Sequence, residues 1–92
     1  MKILIIDDDK KFTDTLKDDV IKFFQRIDDK AIITVINENF RQVDLFNNYH
    51  IVFLDIDLLT DNGLTIAKQL RELDSNAMII FVSSRSNLVF KT

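Results

Sequence analysis

Cysteine and proline are absent from this 92-residue chain, and glycine occurs once, at Gly63. Without cysteine, disulfides, thiolate nucleophiles and cysteine-ligated metal sites are excluded. A domain of many strands joined by tight turns normally uses several glycines and prolines, so their scarcity favours helices and strands joined by short polar loops. The chain also has no low-complexity segment and no linker-like segment, which predicts a single domain over residues 1–92.

The chain also has no cluster of basic residues. The net charge is −3, with acids and bases mixed along the sequence, so no nucleic-acid contact and no membrane surface is expected. No apolar run approaches the roughly 20 residues of a membrane span, and the short apolar stretch after Met1-Lys2 does not fit a signal peptide. We therefore expect a cytoplasmic protein.

Short apolar runs alternate with helical patterns. Residues 3–6, 51–54 and 78–82 are continuous apolar runs rich in β-branched or aromatic residues, as in strands that are buried on both faces. Apolar residues at helical spacing lie between them. The predicted order is strand 2–6, helix 9–27, strand 31–36, helix 40–47, strand 50–54, helix 63–73 and strand 77–82. This alternation predicts an α/β fold with an open parallel sheet and right-handed crossovers.

The fourth predicted strand is expected to lie at the edge of this sheet. The residues after it look like the start of another helix, which would leave the backbone groups of that strand exposed. We expect either that the chain is truncated or that a partner covers the edge. The partner would be a second copy, in a homodimer or a domain-swapped dimer through the exposed side of the fourth strand and the following helix.

Acidic residues follow two of the predicted strands. Asp7, Asp8 and Asp9 come after the first strand, and Asp55 and Asp57 come after the third. In open α/β folds, ligands bind beyond the carboxyl ends of the strands where the strand order reverses. If the first and third strands are neighbours, as in a 2-1-3-4 order, the acids converge and raise each other's pKa. A divalent cation relieves this repulsion, and ligation by oxygen alone fits Mg²⁺.

One of these carboxylates is a candidate for covalent chemistry. A carboxylate can accept a phosphoryl group as an aspartyl phosphate, and phosphoryl transfer mainly needs positioning and charge neutralisation. Asp55 is the best candidate, because it directly follows four buried residues and the sheet fixes its position. The competing interpretation is that the acids are helix N-caps. That interpretation suits Asp9, but it does not account for two strands that both end in acids.

The sequence resembles the receiver domains of two-component response regulators (CheY-like). Ile5-Ile6-Asp7-Asp8-Asp9 resembles their acid-pair motif, and residues 51–57 resemble their phosphoacceptor strand. Asp61-Asn62-Gly63 is similar to the turn before the next helix, and residues 79–84 are similar to the strand that ends in a switch hydroxyl. The resemblance implies a flavodoxin-like receiver fold with the fifth βα unit missing, and therefore a partial receiver domain.

The resemblance also assigns roles to particular residues. Asp55 would be the phosphorylated residue. Mg²⁺ would be bound by Asp8 directly, by Asp7 partly through water, by Asp55 and by the backbone carbonyl of Asp57. Ser83 would be the switch hydroxyl that hydrogen-bonds the phosphoryl group and draws the following loop inward.

The sequence departs from the family pattern in two places. Leu58-Leu59 replaces a Met-Pro-like pair after the phosphoacceptor. The family's phosphate-binding lysine lies on the fifth strand, so no lysine of this chain is assigned that role. Lys91 falls in the expected helix after the fourth strand, which is the wrong place. These departures predict a fragment that binds metal and is phosphorylated poorly or not at all.

The resemblance implies a regulatory domain and not an enzyme, apart from self-catalysed phosphoryl transfer and slow autodephosphorylation. A sensor histidine kinase would donate the phosphoryl group. Residues 54–57 and 81–84 look most like receivers attached to LytTR-type DNA-binding domains, which implies a transcription regulator. Two alternatives stay open: a pseudo-receiver used for dimerisation, and an α/β phosphatase or phosphotransferase with an Asp-x-Asp motif. His50, the only histidine, is expected at the end of the sheet remote from the carboxylates.

Overall fold

The computed structural model describes residues 1–38, 49–56, 63–73, 76–83 and 88–91. Within these ranges, the six elements predicted at 2–6, 9–27, 31–36, 50–54, 63–73 and 77–82 are present, and each begins and ends within one residue of its predicted bounds. The predicted helix at 40–47 lies outside the described residues. The elements are β1 (Lys2–Ile6), α1 (Lys10–Arg26), β2 (Ile32–Ile36), β3 (Ile51–Asp55), α2 (Gly63–Leu73), β4 (Met78–Ser83) and β5 (Leu88–Lys91).

The strands form one sheet in the order β2-β1-β3-β4-β5. The first four of these are parallel, which confirms the predicted α/β fold and its 2-1-3-4 order. Because these strands run parallel and β1 lies between β2 and β3, the residues that follow the three strands emerge side by side at the same edge of the sheet. We call this edge, where β1–β4 end, the carboxyl edge, and the opposite one, where they begin, the amino edge.

The prediction of a helix after β4, and with it a bare β4 edge, was wrong. Leu88–Lys91 forms β5, which pairs antiparallel with β4, with Lys91 opposite Ile80 and Leu88 opposite Ser83. Leu, Val and Phe in succession suit a strand, and the pairing satisfies β4 backbone groups that a helix would leave exposed. The expected dimer contact through the bare β4 edge therefore loses its structural basis.

Apolar residues cover both faces of the sheet. On one face, alternate residues of β1, β3 and β4 pack with Ile66 and Ala67 of α2. On the other face, Ile3 and Ile5 pack with residues of α1. All four residues from Ile3 to Ile6 are completely buried, and burying each such side chain contributes about 1.5–3 kcal/mol. The strand that leads into the acidic residues is therefore firmly held. Neither of the helices in the described part of the chain is long and apolar enough to cross a membrane.

Candidate functional site

Three carboxylates meet at the carboxyl edge of the sheet. Asp7 follows β1 directly and Asp55 is the last residue of β3, and the side chains of both are completely buried. Asp8 is half-buried beside them. One oxygen from each of the three carboxylates lies within 4.8 Å of the others. The neighbouring positions of β1 and β3 thus bring together acids that are 47 and 48 residues apart in the sequence.

Most of the polar atoms of Asp7 are held by neighbouring residues. Its N–H donates to the carbonyl of Ile36 at 3.1 Å, and its Oδ1 accepts from the N–H of Asp9 at 2.9 Å. Its Oδ2 is buried and accepts no hydrogen bond from the residues that the structure describes. A buried carboxylate oxygen without a donor is costly, so this atom calls for a proton or a cation.

Burial raises the pKa of Asp7 from 3.8 to about 7. The negative charges of Asp55 and Asp8 raise this pKa further, and the hydrogen bond from the backbone of Asp9 lowers it. The same surroundings that oppose ionisation favour a bound cation, because a cation near the three carboxylates compensates both the lost hydration and the mutual repulsion.

The three residues fit a hard divalent cation. Each offers a carboxylate oxygen, and Mg²⁺ is commonly held in proteins by one or two carboxylates that leave room for waters and phosphate oxygens. The buried Oδ2 of Asp7 is one atom that such an ion would satisfy. Asp7, Asp8 and Asp55 are therefore the side chains of this region that could hold Mg²⁺.

His50 lies at the amino edge, away from the carboxylates, as predicted. Its Nδ1 accepts a hydrogen bond from the N–H of Lys2 at 2.9 Å, and its own N–H donates to the carbonyl of Lys2 at 2.8 Å. Its carbonyl accepts from the N–H of Met78 at 2.9 Å. His50 therefore joins the beginnings of β1, β3 and β4, and it does not contribute to the acidic site.

Curated relatives match nearly the whole chain, although no protein-family model matches it. Accessory gene regulator protein A of Staphylococcus aureus is 35% identical over 98 residues, which cover 100% of this chain and 41% of the relative. Sensory transduction protein LytR of Streptococcus agalactiae is 30% identical over 92 residues, which cover 99% of this chain and 37% of the relative. The chain thus spans about two fifths of the length of these relatives.

Solved structures show the same fold. The signal receiver domain of a DNA-binding response regulator from Colwellia psychrerythraea superposes with a TM-score of 0.76 at 26% identity, over 90% of this chain and 68% of that one. The chain belongs to the response-regulator receiver domains. A response regulator solved in complex with a histidine kinase matches this receiver domain with a TM-score of 0.66 at 26% identity, over 92% of this chain and 70% of that one. The predicted similarity to regulators of the LytTR type is confirmed by the two curated relatives.

Asp9 of the receiver domain has a structural task. Its carboxylate Oδ1 accepts a hydrogen bond from the N–H of Phe12 at 3.0 Å, and Asp9 is the N-cap of α1. This cap satisfies one of the free N–H groups in the first turn of the helix. The helix-cap interpretation therefore holds for Asp9, whereas Asp7 and Asp8 belong to the carboxylate cluster.

The other predicted site residues of the receiver domain are placed only in part. Asp57 lies outside the described residues. Asp55 pairs with Val82, so Ser83 follows at the carboxyl edge as the last residue of β4. The role of its hydroxyl stays a prediction. Lys91 lies opposite Ile80 in the β4–β5 register, nearer the middle of β4 than its carboxyl end.

Sequence reasoning missed Asn37, which follows β2 at the same edge of the receiver domain. Its side-chain Nδ2 donates to the carbonyl of Asp7 at 2.9 Å and to Oγ1 of Thr13 at 3.0 Å. The only sequence signal is the position of a polar residue directly after a predicted strand. That signal is weak, because a turn residue would give the same pattern.

Proposed function

We propose that this receiver domain is the phosphoacceptor switch of a two-component system and that Asp55 accepts the phosphoryl group from a sensor histidine kinase. The observation that carries the proposal is the buried Asp55 carboxylate at the end of β3, beside two further carboxylates. In the transfer, a carboxylate oxygen of Asp55 bonds to phosphorus as the P–N bond to the kinase histidine breaks. The kinase complex of a similar response regulator supports such a donor.

The reaction is proposed to depend on Mg²⁺, bound by the side chains of Asp7, Asp8 and Asp55 and by the backbone carbonyl of Asp57. When bound, the ion would neutralise charge on the carboxylates and on the phosphoryl oxygens. The chain's own part is positional. The paired β3 strand holds Asp55 in place, and Asp7 is held through its N–H and Oδ1.

The output of the switch is proposed to be a change in the surface around the end of β4. The Ser83 hydroxyl would bond a phosphoryl oxygen and draw the following loop toward Asp55. Because the chain spans about two fifths of its curated relatives, we propose that the whole protein is a cytoplasmic transcription regulator. In it, the receiver would control a DNA-binding domain of the LytTR type.

The test is phosphorylation by acetyl phosphate with Mg²⁺, followed by intact mass spectrometry, in the complete protein that carries this chain. We expect one phosphoryl adduct that disappears with EDTA or with Asp55→Asn. Asp14→Asn is the matched control, because Asp14 is an exposed acid on α1. An adduct that persists in Asp55→Asn would refute the assignment. Mg²⁺ binding without any adduct would instead support the pseudo-receiver alternative.

A further inference from the structure

Asn37 links the end of β2 to the loop that carries Asp7 and Asp8, two acids of the proposed Mg²⁺ site. Its amide nitrogen donates to two acceptors: the backbone carbonyl of Asp7 at 2.9 Å and Oγ1 of Thr13 at 3.0 Å. The orientation of the amide follows from chemistry, because a backbone carbonyl can only accept. The NH₂ group must therefore face Asp7, and both of its hydrogens have acceptors.

Thr13 holds the Asn37 amide in a fixed position. Its side chain is completely buried, and its hydroxyl donates to the carbonyl of Lys10 at 2.9 Å. Since that proton is used within α1, the hydroxyl oxygen is available to accept from Asn37. The amide of Asn37 is thus held on one side by the first turn of α1, and on the other side it holds Asp7.

From this geometry we infer that Asn37 is a positioning residue for the proposed Mg²⁺ site and acts by orienting the Asp7–Asp8 peptide group. The Asp7 carbonyl belongs to that peptide, so a bond that fixes the direction of the carbonyl also fixes the plane from which Asp8 projects. The inference rests on the proposed function, since it gives Asn37 a task only if Asp7 and Asp8 bind the ion.

Ordinary strand pairing does not supply this constraint. The N–H of Asp7 already donates to the carbonyl of Ile36 at 3.1 Å, which extends the pairing of β1 with β2 by one residue. Asn37 adds a bond to the carbonyl on the other side of the Asp7 Cα. Of the four polar atoms of Asp7, the N–H, the carbonyl and Oδ1 are therefore held, and Oδ2 remains for the ion.

The test is a Mg²⁺ titration of the chain and its variants. Binding is monitored through the NMR signals of backbone amides at the carboxyl edge. We expect Asn37→Ala to raise the Mg²⁺ concentration at half-saturation roughly tenfold, as for other residues that orient metal ligands. Thr13→Val should produce a smaller rise, because Asn37 loses one of its two acceptors. Thr13→Ser, which keeps the hydroxyl, should restore the wild-type value.

A purely structural role is separated from positioning by two further readouts. The first is the thermal unfolding temperature in EDTA, which reports stability without the ion. The second is the rate of phosphorylation by acetyl phosphate, measured in the complete protein that carries this chain. At saturating Mg²⁺ the Asn37→Ala rate should return to that of the wild type, because only ion binding is weakened. Asn76→Ala is the matched control, since Asn76 is an exposed asparagine before β4, at the amino edge.

The possible outcomes distinguish this inference from the function on which it rests. If the wild-type chain shows no Mg²⁺ binding, the proposed function fails first. If the wild type binds Mg²⁺ and both Asn37→Ala and Thr13→Val bind it at the wild-type concentration, the positioning role is overturned, whatever happens to the unfolding temperature. Should Asn37→Ala fail to fold, the comparison of Thr13→Val with Thr13→Ser decides the question by itself.

Discussion

The two edges of the sheet are built from the same strands but treat their polar groups differently. At the amino edge, His50 and its neighbours exchange hydrogen bonds of 2.8–2.9 Å, and the His50 side chain is exposed to solvent. At the carboxyl edge, Asp7 and Asp55 are completely buried. There, Oδ2 of Asp7 accepts no hydrogen bond from any part of the chain that the structure describes.

This contrast separates residues that stabilise the fold from residues that burden it. Hydrogen bonds at the amino edge cost little to form, because they join backbone groups already aligned by strand pairing to one another and to the exposed imidazole of His50. Burying several carboxylates together opposes folding, and a perturbed pKa of this kind is a recognised mark of functional sites. The sheet therefore tolerates at one edge an electrostatic cost that it avoids at the other.

The largest expected effect is a loss of stability of the metal-free domain as pH rises. The pKa of Asp7 is about 7 in the folded chain, against its ordinary value of 3.8, so the folded state binds this proton more tightly than the unfolded state does. The bound proton therefore stabilises the folded state. This contribution is fully present below pH 3.8 and is lost as pH rises through about 7. At pH 8, Asp7→Asn should therefore be more stable than the wild type by up to about 4 kcal/mol.

Urea unfolding in EDTA at pH 5 and pH 8 measures this effect. The difference in unfolding free energy between wild type and Asp7→Asn should favour the variant more strongly at pH 8. Asp14→Asn changes an exposed carboxylate of α1 and controls for the general loss of one negative charge. A difference that is the same at both pH values would show that burial of Asp7 does not burden the fold.

The second effect is that of the same substitution in the presence of metal, where it should be unfavourable. Asp7→Asn should weaken Mg²⁺ binding on the order of a hundredfold, or about 2.8 kcal/mol, because an amide lacks the charge that attracts the ion. Added Mg²⁺ should then raise the unfolding temperature of the wild type but hardly that of the variant. Equal stabilisation of both proteins by Mg²⁺ would remove Asp7 from the ion's ligands.

The third effect concerns Asp9, an acid at the carboxyl edge that stabilises the fold. Asp9→Ala removes the bond from the carboxylate to the N–H of Phe12 and should lower the unfolding free energy by about 1 kcal/mol. Asp9→Ser retains a capping oxygen and should recover most of that loss. Mg²⁺ affinity should change little, because the bond to Oδ1 of Asp7 comes from the Asp9 backbone. A large loss of Mg²⁺ affinity would make Asp9 part of the metal site.

Much of this organisation could be predicted from the sequence because burial leaves a readable pattern. Continuous apolar runs at 3–6, 51–54 and 78–82 marked strands covered on both faces, and acids directly after two of them marked the carboxyl edge. The strand β5 was missed because the four residues Leu88–Lys91 are too few to show a period. The sequence around them predicts the start of a helix instead.

The hydrogen bonds around Asp7 were beyond sequence reasoning for a different reason. The contact of Asn37 with Asp7 joins residues 30 positions apart, and it depends on the direction of one side chain after a strand. No periodicity encodes that direction. The sequence could place acids at one edge and predict their mutual repulsion. Only the geometry shows that Oδ1 of Asp7 accepts a hydrogen bond, whereas Oδ2 accepts none from the described residues.

The smallest expected effect, and the sharpest check on the comparison, is at the amino edge. His50→Ala removes the acceptor for the Lys2 N–H, while the two hydrogen bonds made by the His50 backbone can remain. Because this bond is exposed, water can replace the imidazole, and the unfolding free energy should fall by only about 0.5 kcal/mol. Urea unfolding measures that change, and the Mg²⁺ concentration at half-saturation should be unaltered. A shift in Mg²⁺ affinity would mean that the strands transmit changes from one edge to the other, and the edges could then no longer be treated as independent.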